Sequence, residues 1–252
     1  MNRFVKHILL LLSAILLYLP LSAQDGVVVP TEDEILSKTL DTTSPYYFTN
    51  LMMKYRSGSE PLTVEEYYYL YYGYYYSDEY RPFVENKAFD AMMEVMSGLN
   101  PSQPTVGQLE ILVERGAEAL EVDPFSPKVL NIMAYAYGAL EDSERELSYY
   151  NHLNGILGAI ERSGTGLKEG EPWHILMFSH AYDLLASKGY LYNEARIISR
   201  SVEFVPLRAK SHDGIKGFYF DYSRIYSRKP DDLLIKKDRT WQFNNLPPTE
   251  YK

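Results

Sequence analysis

The sequence predicts an α+β fold, in which a mostly α-helical array is followed by a small C-terminal antiparallel β-sheet. Apolar residues recur at helical spacing from about residue 32 to residue 161, in segments separated by short breaks that contain proline. A polar, glycine-rich joint follows at residues 163–172. Beyond this joint, two segments rich in aromatic and β-branched residues flank a turn, which is the pattern of an antiparallel hairpin.

The first 23 residues have the layout of a secretory signal peptide. A basic start is followed by an apolar run at residues 8–19 and by Ala23, a small residue at the expected cleavage point. The apolar run is shorter than the about 20 residues that a transmembrane helix needs. No second such run follows, so we expect an exported protein with no membrane span after the signal is removed.

The amino-acid composition limits which cellular compartment and which class of partner we expect. The sequence has no cysteine, which excludes disulfides, thiolate metal sites and the cysteine of a bacterial lipid anchor. We therefore expect a periplasmic or extracellular bacterial protein. The formal net charge is −9, and removal of Arg3 and Lys6 with the signal would make it −11. This acidic balance lacks the basic patch of nucleic-acid binding, so the expected partner is a protein or a glycan of the envelope.

Seven helices are predicted before the joint. Thr31 with Glu34, and Thr63 with Glu66, form capping-box patterns at two helix starts. Pro127 suits the first turn of a later helix. The predicted helices cover residues 30–40, 46–56, 63–81, 84–99, 105–122, 128–140 and 144–161.

The third of these segments, residues 63–81, holds nine tyrosines. A strand is the alternative because aromatic residues favour strands, but the cap and the lack of alternation favour a helix. Gly73 lowers the stability of such a helix by about 1 kcal/mol relative to alanine. We therefore expect another backbone to approach the helix closely at Gly73. One helical face carries Tyr67, Leu70, Tyr71 and Tyr74, and an adjoining face carries Tyr68, Tyr72, Tyr75 and Tyr76.

Two interpretations of this tyrosine helix are open. In the first, neighbours cover both faces and the rings form a helical core in which each hydroxyl has a polar partner. In the second, the adjoining face binds a ligand, since stacked rings with polar tips suit sugars, peptides or cell-wall fragments. The candidate binding residues are Tyr68, Tyr72, Tyr75 and Tyr76.

Residues 117–153 resemble one tetratricopeptide-type unit, a helical pair of a repeat array. Ala119 stands where the repeat has a small residue, and Pro124 follows at the expected spacing. Glu146 departs from the pattern, and no second copy is visible upstream. The remaining packing positions fall on Leu130, Ala134, Tyr137 and Tyr150.

The C-terminal part is predicted to be a sheet. Residues 197–207 and 215–226 form a hairpin around the turn at residues 210–214. Residues 173–185 read as a helix or a strand, and we expect a third strand because a lone hairpin is marginal. The predicted organisation is a signal peptide (1–23), a helical region (24–162), the joint (163–172), the sheet region (173–228) and a polar tail (229–252).

Candidate chemistry is sparse. His174, His180 and Asp183 are the nearest approach to a ligand cluster, but neither a helix nor a strand brings all three to one face. The sequence lacks H-E-x-x-H, G-x-S-x-G, P-loop and G-x-G-x-x-G patterns. We therefore expect no metal, no cofactor and no catalytic residue. A hydrolase acting on cell-wall or glycan fragments stays open as the alternative, because a glycosidase's two carboxylates can lie far apart in sequence.

Three segments belong together: residues 45–48 (PYYF), 62–73 (LTVEEYYYLYYG) and 214–221 (GIKGFYFD). As a set they resemble one family, the exported Bacteroidota proteins with the domain of unknown function numbered 4919. Residues 179–183 (SHAYD) are similar, with Ala181 where the family has an acidic residue. The resemblance spans about residues 33–226 and implies an exported protein without implying an activity. It makes family-type positions of Tyr67, Tyr71, Gly73, Gly217 and Asp221.

The sequence thus predicts a non-catalytic binding or structural module of the bacterial cell envelope.

Overall fold

The computed structural model describes residues 26–58, 60–211 and 213–230. The predicted signal peptide and most of the predicted tail lie outside these residues. Within the described residues the fold is α+β and mostly helical, as predicted, with nine helices and a four-stranded sheet. The helices are α1 (Glu32–Thr39), α2 (Phe48–Ser57), α3 (Val64–Tyr74), α4 (Lys87–Ser97), α5 (Val106–Val122), α6 (Pro127–Ala139), α7 (Ser143–Arg162), α8 (Phe178–Ser187) and α9 (Ser223–Tyr226). The strands are β1 (Trp173–His174), β2 (Arg196–Ile197), β3 (Val202–Pro206) and β4 (Gly217–Asp221).

The tyrosine helix α3 begins with the predicted capping box. Thr63 Oγ1 accepts a hydrogen bond from the Glu66 backbone N–H at 3.2 Å, and the Glu66 carboxylate accepts one from the Thr63 N–H at 2.6 Å. The capping box predicted for α1 is wrong. Thr31 stands at the N-cap but makes no side-chain cap bond, and the Glu34 carboxylate instead accepts from the Tyr69 hydroxyl at 3.0 Å.

Helices α4 to α7 form an array in which each helix packs on the next, and α3 packs on α7. Pro127 occupies the first turn of α6, as predicted. A second apolar cluster lies between α4, α5 and α6 and includes Met92, Leu112 and Met133.

The sheet has the strand order β1-β4-β3-β2. The predicted hairpin is present as the antiparallel pair β3–β4. The prediction of a purely antiparallel sheet is wrong, because β1 pairs with β4 in parallel. The third strand is also shorter than predicted, because only Trp173 and His174 are extended. The chain then turns into α8, whose Ala181, Leu184 and Leu185 are buried at helical spacing.

Helix α3 lies in the main core, which contains residues from α7, α8 and the sheet as well. Gly73 permits a close approach, but by side chains rather than by a backbone. A Cβ at this position would lie 2.9 Å from Thr39 Cγ2 and 3.1 Å from Phe48 Cδ2. Among the described residues, none of the helices combines the length and the apolar character that crossing a membrane requires.

Candidate functional site

Two of the four tyrosines in the predicted binding face of α3 are buried. Tyr68 and Tyr72 are 2% and 0% exposed. Their hydroxyls donate to backbone carbonyls, Tyr68 to Val28 at 3.1 Å and Tyr72 to His174 at 3.0 Å. The partly exposed part of the face is therefore confined to Tyr75 and Tyr76, and ligand binding by these two residues stays a prediction.

Tyr75 is held by the two residues that follow the end of α9. Its hydroxyl pairs with Ser227 Oγ at 2.9 Å, and the Arg228 guanidinium lies 5.1 Å from its ring centre. The ring of Tyr76 packs against that of Tyr75 at 4.7 Å. Because the hydroxyl and one ring face of Tyr75 are already engaged, this surface offers little free recognition chemistry.

Behind α3 lies a buried chain of hydrogen bonds that joins three elements. The Tyr71 hydroxyl pairs with His180 Nδ1 at 2.8 Å, and His180 Nε2 pairs with Asp123 Oδ2 at 3.1 Å. Tyr71 and His180 are fully buried, and burial raises the pKa of the Tyr71 phenol. Each polar group in this chain has a partner, so the chain cross-links α3, α8 and the loop before α6.

His174, His180 and Asp183 do not converge. His180 faces Asp123, whereas His174 Nδ1 lies 3.3 Å from an Arg224 nitrogen and 3.8 Å from Asp221. Burial lowers the pKa of His174 to about 4. Within the part of the chain that the structure describes, no group of three or more potential ligands is placed to hold a metal ion.

A groove between α6, α7 and α8 is the candidate site, and we call it the α6–α8 groove. It encloses about 580 Å³, which is within the range of small-molecule sites. Helix α6 contributes Lys128 and Asn131 to its wall, and α7 contributes Tyr150 and Asn154. Because these four side chains project from regular helices, the scaffold holds them in place.

The neutral groups of the groove are free. Tyr150 is 55% exposed, and the side chains of Asn131 and Asn154 are also exposed. Among the described residues, these two amides and the Tyr150 hydroxyl have no protein hydrogen-bond partner. The groove therefore offers an aromatic ring, a phenol and two amides to a ligand.

The charges of the groove are paired with one another. Lys188 Nζ lies 2.8 Å from Glu161 Oε1, and Lys128 Nζ lies 3.6 Å from Asp183 Oδ1. The groove consequently carries two cations and two anions in contact, with no uncompensated charge among these four residues to select a charged ligand.

Asp183 joins the groove to the interior. Its side chain is 5% exposed, and burial raises the pKa of its carboxyl although the Lys128 ammonium and backbone N–H oppose the shift. Its Oδ2 is buried without a hydrogen-bond partner among the described residues. Asp183 lies near the start of α6, where a carboxylate is favoured by the exposed N–H groups of the first turn.

The sequence did not predict the groove. The tetratricopeptide-type pattern placed Tyr150 at a packing position, but this residue is 55% exposed. The available signal was the spacing of Tyr150 and Asn154, four residues apart on one helical face. The convergence of three helices has no local signal.

The comparisons give a family and no nearer relative. A family model described as "Domain of unknown function (DUF4919)" matches residues 33–230. No curated protein and no solved structure matches the chain. The family resemblance read from the tyrosine helix and from residues 214–221 is thereby confirmed.

Proposed function

The chain belongs to the family of the domain of unknown function DUF4919, and we propose that it is an exported, non-catalytic binding module that holds a neutral glycan in the α6–α8 groove. One observation carries this proposal: an exposed tyrosine ring lies in one groove with two unpartnered amides. Sugars combine apolar C–H faces, which pack on aromatic rings, with hydroxyls, which pair with amides.

The paired charges favour a neutral partner over a charged one. An anionic glycan would need Lys128 or Lys188 to leave Asp183 or Glu161, and that exchange would leave a carboxylate without its cation. A neutral chain of hydroxyls can bind without breaking either ion pair. The α6–α8 groove is therefore expected to disfavour anionic polymers, nucleic acids included.

The proposed location is the periplasm or the cell exterior of a bacterium. Its support is the signal-peptide layout of residues 1–23 and the absence of cysteine from the sequence. N-terminal sequencing of the protein recovered from the envelope fraction tests it. We expect the mature chain to begin at Gln24, and an intact Met1 on the protein from cells would contradict export.

The binding proposal is tested by nuclear magnetic resonance titration with maltotriose, with tri-N-acetylchitotriose and with triglycine as the peptide arm. We expect one of the sugars to shift backbone signals of Asn131 and Asn154 in a saturable way, and Tyr150→Ala with Asn154→Ala to abolish the shifts. Leu147→Ala is the matched control, because it removes an exposed α7 side chain outside the groove. Saturable binding of triglycine alone would identify a peptide site instead, and no saturable shift with any probe would contradict the proposal.

A hydrolase is the second candidate, and one observation favours it. The groove holds two carboxyl groups, Glu161 and Asp183, and burial raises the pKa of Asp183. A carboxyl with a raised pKa is suited to donate a proton to a leaving oxygen. Release of new reducing ends from a bound sugar, lost in Asp183→Asn, would support this candidate over the non-catalytic one.

A further inference from the structure

We propose that the α6–α8 groove is one half of a longer binding surface, which crosses helix α7 at Asn154 and Gly158 and takes a neutral glycan chain longer than a trisaccharide. The second half is a cleft between α7 and the start of α3, and we call it the α3–α7 cleft. This inference rests on the proposed function for the class of ligand. It adds a second binding site and the direction in which the glycan chain lies.

The α3–α7 cleft has the size and the chemistry of a second subsite. It encloses about 310 Å³, which is at the lower end of the range for small-molecule sites. Helix α7 contributes Asn151 to its wall, and the start of α3 contributes Val64, whose side chain is 54% exposed. Asn151 is exposed, and its amide has no hydrogen-bond partner among the described residues. The described residues that line the cleft are all uncharged, so the cleft suits a neutral ligand.

The groove and the cleft meet on one edge of α7. Asn154 and Gly158 line both cavities. They are four residues apart and therefore lie one above the other on the same face of the helix. Tyr150 lies on the groove side of this edge, and Asn151 lies on the cleft side. Because Asn154 and Gly158 are exposed, a ligand chain that leaves the groove can pass over them into the cleft.

Gly158 has no packing partner that explains a glycine inside a helix. Glycine is less favourable than alanine in a helix interior, so a close approach by another group is the expected reason for it. Gly155 has such a reason, since a Cβ there would lie 2.4 Å from Tyr67 Cδ2. Among the described residues, no atom lies within 4 Å of the position that a Gly158 Cβ would take. The open backbone at Gly158 therefore allows a ligand to lie directly on α7 between the two cavities.

A glycan chain finds matching groups along the whole surface. The Tyr150 ring in the groove and Val64 in the cleft offer apolar surface to the C–H faces of sugars. The amides of Asn154 and Asn151 each offer a donor and an acceptor to sugar hydroxyls. A chain confined to the groove reaches Asn154 but not Asn151 or Val64, so a longer chain gains contacts that a shorter one lacks.

The test compares a trisaccharide with a hexasaccharide of the same sugar on the mature protein, using maltotriose with maltohexaose and tri-N-acetylchitotriose with hexa-N-acetylchitohexaose. For the sugar that binds, we expect the hexasaccharide to have a Kd about tenfold lower, a gain of the size that added hydrogen bonds supply. Only the hexasaccharide is expected to shift the backbone nuclear magnetic resonance signals of Asn151 and Val64.

A variant of the cleft separates this gain from a simple effect of chain length. A longer chain offers more registers to a short site, which by itself lowers the apparent Kd. Asn151→Ala with Val64→Ala removes the cleft contacts and keeps that effect. The ratio of the trisaccharide Kd to the hexasaccharide Kd is therefore expected to be clearly larger in the wild type than in this variant.

Gly158→Leu tests the crossing, because its side chain would stand between the two cavities. Gly107→Leu is the matched control, since Gly107 is also an exposed helical glycine with nothing within 4 Å of its Cβ position, and it lies in α5 outside both cavities. We expect Gly158→Leu to lower the Kd ratio to that of the cleft variant, and Gly107→Leu to leave it unchanged.

Three results would overturn the inference while trisaccharide binding upholds the proposed function. They are an equal Kd for the two chain lengths, a Kd ratio in the cleft variant equal to that of the wild type, and a change in sedimentation of Gly158→Leu with no change in its Kd ratio. The last result would assign the open glycine to a contact between copies of this chain. Failure of every sugar to bind would contradict the proposed function itself and this inference with it.

Discussion

Gly155 on α7 lies against the ring of Tyr67 on α3, so Gly155→Ala is expected to destabilise the fold. A Cβ at this position would lie 2.4 Å from both Cδ2 and Cε2 of Tyr67. Tyr67 has little room to retreat, because it is buried and its hydroxyl is bonded to His152. Gly158 is the matched control, since it lies on the same helix, is exposed, and has nothing within 4 Å of its Cβ position.

The magnitude follows from opposed effects. Replacing glycine by alanine inside a helix gains about 1 kcal/mol, and this gain is the whole expected effect of Gly158→Ala. At Gly155 the same gain is opposed by overpacking, which costs about 1–3 kcal/mol. Displacing Tyr67 also weakens a buried hydrogen bond worth about 1 kcal/mol. The free energy of unfolding of Gly155→Ala is therefore expected to lie about 2–4 kcal/mol below that of Gly158→Ala.

Urea unfolding followed by circular dichroism measures this difference. The same Gly155→Ala substitution is also made in the Tyr67→Ala variant. If the Tyr67 ring causes the destabilisation, the loss of stability due to Gly155→Ala should disappear in that background, where the ring is absent. If Gly155→Ala were as stable as Gly158→Ala, α3 would not be packed against α7 as closely as described, and the reasoning would fail.

Two further predictions concern a helix cap and a buried histidine. Thr63→Ala is expected to lower the free energy of unfolding by about 1 kcal/mol. Thr31→Ala is expected to lower it by less, because Thr31 makes no side-chain cap bond. Urea unfolding compares the two variants, and equal losses of stability would count against the capping box at Thr63. The folded-state pKa of His152, about 4, lies below its ordinary value of 6.5, so its contribution to stability is complete above pH 6.5 and is lost as the pH falls towards 4. Between pH 7 and pH 5 the expected loss in the free energy of unfolding is about 2 kcal/mol. Urea unfolding at the two pH values measures it, and His152→Gln should remove this part of the pH dependence. The same pH dependence in His152→Gln as in the wild type would show that His152 is not buried as described.

Local patterns in the sequence predicted the elements whose causes are local. The capping box at Thr63 sets the start of α3, and a tyrosine core was one of the two interpretations that the faces of that helix left open. The turn between two β-branched segments predicted the β3–β4 hairpin. These features depend on neighbouring residues, and periodicity and caps report them directly.

Elements whose causes lie in tertiary packing were not predicted. Residues 173–185 form a short apolar segment, for which periodicity does not separate a helix from a strand, and packing of α8 in the core decided the outcome. Tyr71 and His180 are 109 positions apart, and His180 and Asp123 are 57 apart. The α6–α8 groove needs three helices to converge, so its residues carried only the weak local signal of an exposed polar helical face.

Most tyrosines of α3 lie in the interior of the fold, whereas the exposed Tyr150 lies in the α6–α8 groove. Nitration by tetranitromethane, mapped by mass spectrometry on the folded protein, tests this most directly because the reagent modifies accessible phenols. We expect rapid nitration of Tyr150, while Tyr68, Tyr71 and Tyr72 stay unmodified until the protein is unfolded. Nitration of Tyr68 or Tyr72 in the folded protein at the rate of Tyr150 would contradict the account and return the binding face to the tyrosine helix.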